Sequence, residues 1–281
     1  MVVQVNNARR TSLSDPLSPP EPNTKVIVFD PAEDIVVSDS EGSKPRKISE
    51  GLDPSFSPDG RFVVFCGYTN VAHNDLQIVA IKPDGSGRTQ LTNIKGLPRD
   101  PAWSPDGAKI AFNAAGKKGP VVMVLDLASA KILAIAQGAY PRWSPDGKRL
   151  LFVQSAGADV GPYSISIANA DGTGLQKIVD TRSPVPAATW GADGASIIYT
   201  SDDRHRSAIF RVNLDGSNPE ELARDKAREM YFPLISPDGK QLLVIEGEVG
   251  SQTLVLIDLG TGKPRTLGSA TYGSVLWSKG R

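Results

Sequence analysis

Apolar residues in this chain come in short runs, several of them preceded by a tight turn of proline, aspartate and glycine. The runs at 62–65, 110–112, 150–153, 197–200 and 242–245 are rich in β-branched and aromatic residues and too short for helices. A second set, at 76–81, 121–125, 163–168, 208–213 and 253–258, reads as a third strand in each group, alternating apolar with polar positions most plainly at 163–168. Many of these end in another turn signal, such as Pro83-Asp84-Gly85, Ala170-Asp171-Gly172 or Leu214-Asp215-Gly216. Shorter runs then follow, as at 90–92 and 176–179. The pattern predicts strands in groups of four, A to D, with a turn between A and B.

That turn repeats almost verbatim: PSFSPDG at 54–60, PAWSPDG at 101–107 and PRWSPDG at 141–147, with weaker copies WGADG at 190–194 and PLISPDG at 233–239. Proline presets φ, aspartate tolerates the next position, and glycine accepts the left-handed conformation that ends a hairpin turn. From Asp59 the motif steps by 47, 40, 47, 45 and 41 residues to Asp106, Asp146, Asp193, Asp238 and Lys279. Such a period fits one four-stranded propeller blade per repeat. Residues 25–29, 30–38 and 46–49 read as strands B, C and D without an A, and 272–277 reads as an A alone. Joining them predicts an all-β fold, a six-bladed β-propeller closed by pairing of the C-terminal strand with the N-terminal strands. Residues 25–281 make this domain. Residues 1–24, with four prolines between Asp15 and Pro22, are expected to form a disordered arm.

The aromatic-Ser-Pro-Asp-Gly turn, followed by an apolar strand and a late Asp-Gly hairpin, resembles the TolB-type propeller repeat. The resemblance covers about residues 25–281 and concerns the propeller domain alone, without the α/β domain that precedes it in TolB. It implies the fold. Repeats of this type serve a periplasmic protein-binding protein and the propeller domains of prolyl oligopeptidase relatives, so it implies no single activity.

Composition narrows the chemistry. Lys+Arg and Asp+Glu are equal at 31 each, so no net charge steers the chain to nucleic acid or anionic lipid. No apolar run reaches the length of a membrane span. The first ten residues lack a signal-type apolar core, which gives a cytoplasmic expectation for the chain as written, periplasmic if the true start lies upstream. The single Cys66 leaves no internal disulfide or Cys-rich zinc site. His73 and His205 fall in B–C loops and read as surface residues. No Gly-x-Ser-x-Gly elbow or Walker loop occurs. No metal or cofactor is expected, and no catalytic residue is assigned.

Loops that differ on a scaffold that repeats are where binding concentrates. The D–A linkers and B–C loops supply a mixed candidate surface: Asp53, Arg99, Asp100, Tyr140, Arg142, Arg204, Tyr231 and Tyr272. It suits a protein or peptide partner, with a glycan as a second possibility, on a monomeric propeller. Two alternatives stay open. One is a small glycan hydrolase or lyase using Asp53 and Asp100 on adjacent blades as paired acids. The other is a regulatory propeller acting on a peptidase in trans.

Overall fold

A computed structural model describes residues 2–4, 27–29, 33–38, 46–70, 74–155, 163–181, 188–202, 207–225, 228–236, 238–247 and 252–269. Every regular element among them is a strand. The first four are β1 (Val2–Gln4), β2 (Ile27–Phe29), β3 (Asp34–Ser38) and β4 (Arg46–Glu50). Blade 1 holds β5 (Leu52–Phe56), β6 (Val63–Tyr68), β7 (Leu76–Ile81) and β8 (Thr89–Gln90). Blade 2 holds β9 (Arg99–Trp103), β10 (Lys109–Gly116), β11 (Gly119–Asp126) and β12 (Lys131–Gln137). In blade 3 the strands are β13 (Ala139–Trp143), β14 (Arg149–Ser155), β15 (Tyr163–Asn169) and β16 (Gln176–Thr181). Blade 4 consists of β17 (Ala188–Trp190), β18 (Ser196–Asp202), β19 (Ser207–Asn213) and β20 (Glu220–Arg224). The last blade has β21 (Met230–Ile235), β22 (Gln241–Glu246), β23 (Thr253–Asp258) and β24 (Pro264–Ser269). Each is an antiparallel meander in chain order, and β1 adds to the outer edge of β12 with Val3 opposite Ile132.

The blade count corrects the sequence expectation: there are five blades, not six. Strands β2, β3 and β4 form a sheet of three, and no fourth strand pairs with β2 among the described residues. The reason lies in the turns. Each complete blade contains an A–B hairpin made by one Asp-Gly turn, and the chain has five of them. The expected sixth blade had no such turn and rested on 272–277, which lies outside the described residues. Residues 5–24 of the expected arm also lie outside them.

The chain divides into two compact units, one containing the described residues up to Ala134 and the other those from Ile135. In the first, every position of β7 is buried, because sheets cover both of its faces. Val64, Cys66, Leu76 and Ile78 pack on Ile110, Phe112 and Leu125 of blade 2. Val63, Phe65, Val79 and Ile81 pack the other way, on Ile35 and Val37 of the three-stranded sheet. The second unit repeats the scheme. Leu151, Ile165 and Ile167 meet Ile197, Tyr199 and Val212, while Ile198 and Ile209 meet Leu242, Val244 and Val255. Each such side chain stabilises the fold by about 1.5–3 kcal/mol relative to exposure. The strand A aromatics Phe56, Trp103 and Trp190 join these cores, with Ile235 in the same role in blade 5.

The turns follow one plan. Ser104 Oγ donates to Asp106 Oδ1 (2.6 Å) and accepts from the Lys109 amide (2.8 Å), while Gly107 N–H donates to the Ser104 carbonyl (2.8 Å). The same bonds recur around Ser57, Ser144 and Ser236. As the turn requires, the glycines at 60, 107, 147, 194 and 239 all have φ between 68° and 72°. Within each unit, the last strand of one sheet holds the C–D turn of the next. Arg46 donates to the Pro83 and Asp84 carbonyls, and Gln176 to that of Leu214.

Candidate functional site

Each blade has a turn end, where the Asp-Gly hairpin lies, and a loop end, where the D–A linker and B–C connection meet. At the loop end strand A carries a proline, at 54, 101, 141 and 233, whose missing N–H interrupts the ladder. The residue before it takes up the interruption. Asp53, Asp100, Tyr140 and Phe232 have φ of 53°, 53°, 57° and 52°, in the left-handed region. The pairing register slips at the same four places. One β-bulge therefore recurs in blades 1, 2, 3 and 5, holding an aspartate, an aspartate, a tyrosine and a phenylalanine. A left-handed non-glycine residue costs about 1–3 kcal/mol, and bulges re-aim side chains at sheet rims. From the sequence these residues precede strand A, whereas the structure places them inside it.

Two residues upstream of the bulge, Gly51 and Gly138 lie hard against strand B. A Cβ on Gly51 would meet the Cys66 carbonyl oxygen at 2.6 Å, and one on Gly138 the Val153 oxygen at 2.7 Å. Close backbone approach and a positive φ both demand glycine there.

In the first unit the bulges of blades 1 and 2 interlock. Arg99 Nε donates to Asp53 Oδ2 (2.7 Å), and the Asp100 amide donates to the same oxygen (3.2 Å). The sequence expectation that Asp53 and Asp100 lie on adjacent blades holds, yet Asp53 meets the backbone of Asp100 and the guanidinium of Arg99. Burial works against the charge of Arg99, and the acidic groups around it, Asp53 foremost, together outweigh it and raise the guanidinium pKa. Beneath them the Cys66 thiol, fully buried, lies 3.8 Å from Asp53 Oδ2. Burial, then the Asp53 and Asp100 carboxylates, push its pKa well up, so it remains an unreactive thiol.

In the second unit Tyr140 is 41% exposed. Arg142 turns back to its own strand, donating to the Pro141 carbonyl (3.0 Å), while its carbonyl accepts the Trp190 indole N–H (3.0 Å). Tyr231 is half-buried beside the Phe232 bulge. Arg228 reaches Glu246 at 3.4 Å. Burial and the neighbouring Asp225 carboxylate raise the Glu246 pKa. The expected positions Arg204 and Tyr272 lie outside the described residues, as do His73 and His205. The recurring bulge was not foreseen. Aspartate tolerates a left-handed φ, but tyrosine and phenylalanine give no local signal for one.

Comparison with known proteins places the fold. The TolB beta propeller domain family matches residues 71–275. A Tol-Pal system protein TolB from Francisella tularensis is 28% identical over 216 residues, 75% of this chain, and the chain spans 39% of that relative's length. Among solved structures, TolB from Acinetobacter baumannii superposes with a TM-score of 0.66 at 18% identity, over 88% of this chain and 69% of that one. An oligogalacturonate lyase solved in complex with manganese superposes at 0.61 with 13% identity, over 84% and 70%, which shows a shared fold alone. With the family match running from within blade 1 through blade 5, the chain belongs to the TolB β-propeller domain family.

Proposed function

We propose that this chain is a non-enzymatic binding propeller that engages a protein or peptide through the loop ends of its blades. The observation that carries the reading is the recurring bulge. One strained backbone position repeats in four blades while its side chain changes from aspartate to tyrosine to phenylalanine. A repeat kept for packing alone would keep its residue, as four of the five turn ends keep Ser-Pro-Asp-Gly. The Francisella relative's name places it in the Tol-Pal system, which supports a partner that is a protein.

The test substitutes one charge in each unit, Asp100→Ala with Arg142→Ala, and compares capture of partners from native extract with the unaltered protein. The melting temperature should stay within a few degrees while the captured species disappears. Unfolding of the double variant would show that the charges are structural ties, and retained capture would show that the partner binds elsewhere. Release of the captured species by glycosidase instead of protease would make the partner a glycan.

A further inference from the structure

The D–A linker between blades 1 and 2 is held at several points, and it exposes an apolar side chain. The Gln77 side chain, buried in β7, fixes Ile94 from both sides. Its Nε2 donates to the Ile94 carbonyl (2.8 Å) and its Oε1 accepts the Ile94 amide (3.0 Å). Two residues on, the Gly96 carbonyl accepts the Ala115 amide of β10 (2.7 Å), with Gly96 at φ 108°. Pro98 is buried. Between these anchors stands Leu97, at φ 47° and 51% exposed. A bulky residue in the left-handed region is an outlier, and here it is neither hidden nor left to a mobile loop. Strain held in place by its surroundings points to a use for the side chain it presents.

The exposed charge around it is mainly positive. Lys95 adjoins Leu97, and Lys117 and Lys118 form the tip of the β10–β11 hairpin, just beyond Ala115. All three are exposed, and none has an ion-pair partner among the described residues. Arg99 follows, and the nearby Asp53 is already bonded to it. An apolar projection with exposed lysines on its own linker and on the hairpin bonded to that linker complements an acidic segment bearing an apolar residue.

Resting on the binding reading above, we infer that Leu97 is the apolar anchor of a docking surface for an acidic protein segment, with Lys95, Lys117 and Lys118 as its cationic rim. A rigid linker presents the anchor without an ordering cost on binding, and rim charges raise the rate of encounter.

The probe is an array of short peptides in which Asp and Glu flank one Leu, Ile, Phe or Trp. Controls carry the same apolar residue among lysines, and vesicles of anionic phospholipid and a single-stranded oligonucleotide serve as other polyanions. The full chain should bind the acidic peptides in preference to the lysine set. Lys117→Gln with Lys118→Gln should weaken binding about tenfold and flatten its salt dependence. Leu97→Asn should weaken it about tenfold or more, yet melt no lower than the unaltered protein, because asparagine accepts a left-handed φ better than leucine. Equal binding of both peptide sets, undiminished binding by Leu97→Asn, or binding only to vesicles or the oligonucleotide would overturn the inference. If these peptides fail while Asp100→Ala with Arg142→Ala still abolishes native capture, the acidic-segment inference falls and the binding-propeller reading stands.

Discussion

Ser104 and its counterparts at 57, 144 and 236 are buried hydroxyls that close each turn, and blade 4 shows what the motif requires when the serine is absent. Gly191 stands in its place there, and a Cβ on it would meet the Ser196 hydroxyl at 2.2 Å. The hydroxyl has moved five residues along the chain and fills the same space from the other strand. The Ser104 hydroxyl, and next the Ala108 amide, hold the Asp106 carboxyl below the ordinary range; the matching bonds act on Asp146 and Asp238. A carboxylate whose folded pKa is depressed adds stability above its unfolded value, about 4, and loses it as pH falls through the folded value. Asp106→Asn removes that titration. The gap in urea midpoint between the native protein and this variant should therefore be widest near neutral pH and narrow below about pH 4. A gap that held constant or widened on acidification would contradict the assignment. The glycines of these turns were legible in the sequence because a tight turn needs positive φ. The serine's role was not, since a hydroxyl before proline carries no local pattern until its partner five residues on is seen to be close.

At the scale of strands, the order A–B–C–D and the ranges of most B and C strands could be read from apolar runs, because sheets bury both faces of the middle strands. The bulges could not, since they arise from a long-range competition: proline breaks the ladder of strand A while Gly51 or Gly138 presses the same strand onto strand B. One consequence is the tie between blades 1 and 2. The Asp53–Arg99 pair is partly exposed, with side chains 23% and 45% accessible, so its charge attraction alone should contribute no more than about 1 kcal/mol. Asp53 also accepts the Asp100 amide, and that bond is lost with it. In a double-mutant cycle of Asp53→Ala and Arg99→Ala, denaturant unfolding should give a coupling of about 0.5–1 kcal/mol, with Asp53→Ala the costlier single change. Zero coupling would show that the guanidinium serves the surface rather than the blades, and a larger loss from Arg99→Ala would contradict the ranking of the two changes.

For the whole molecule, repeat, fold and family were legible in the recurrence of one turn about every 44 residues. The blade count was not, because five turns specify five hairpins and the expected sixth blade depended on two chain ends with no turn between them. The candidate site was legible only as a contrast between repeated turns and dissimilar loops. Chemistry at single positions emerged with the backbone: Asp53 bonded to Arg99, Arg142 folded onto its own strand, and Leu97 raised on a pinned linker. The account as a whole divides labour between the two ends of a blade, turn ends for stability and loop ends for recognition. Site-specific photo-crosslinking addresses that division most directly, with the reactive side chain placed in turn at Leu97 and Tyr140 on loop ends and at Lys148 and Lys240 beside the turns. Discrete protein adducts in native extract should form from the first two positions and not from the second two. Adducts from Lys148 or Lys240, with none from Leu97 or Tyr140, would contradict it.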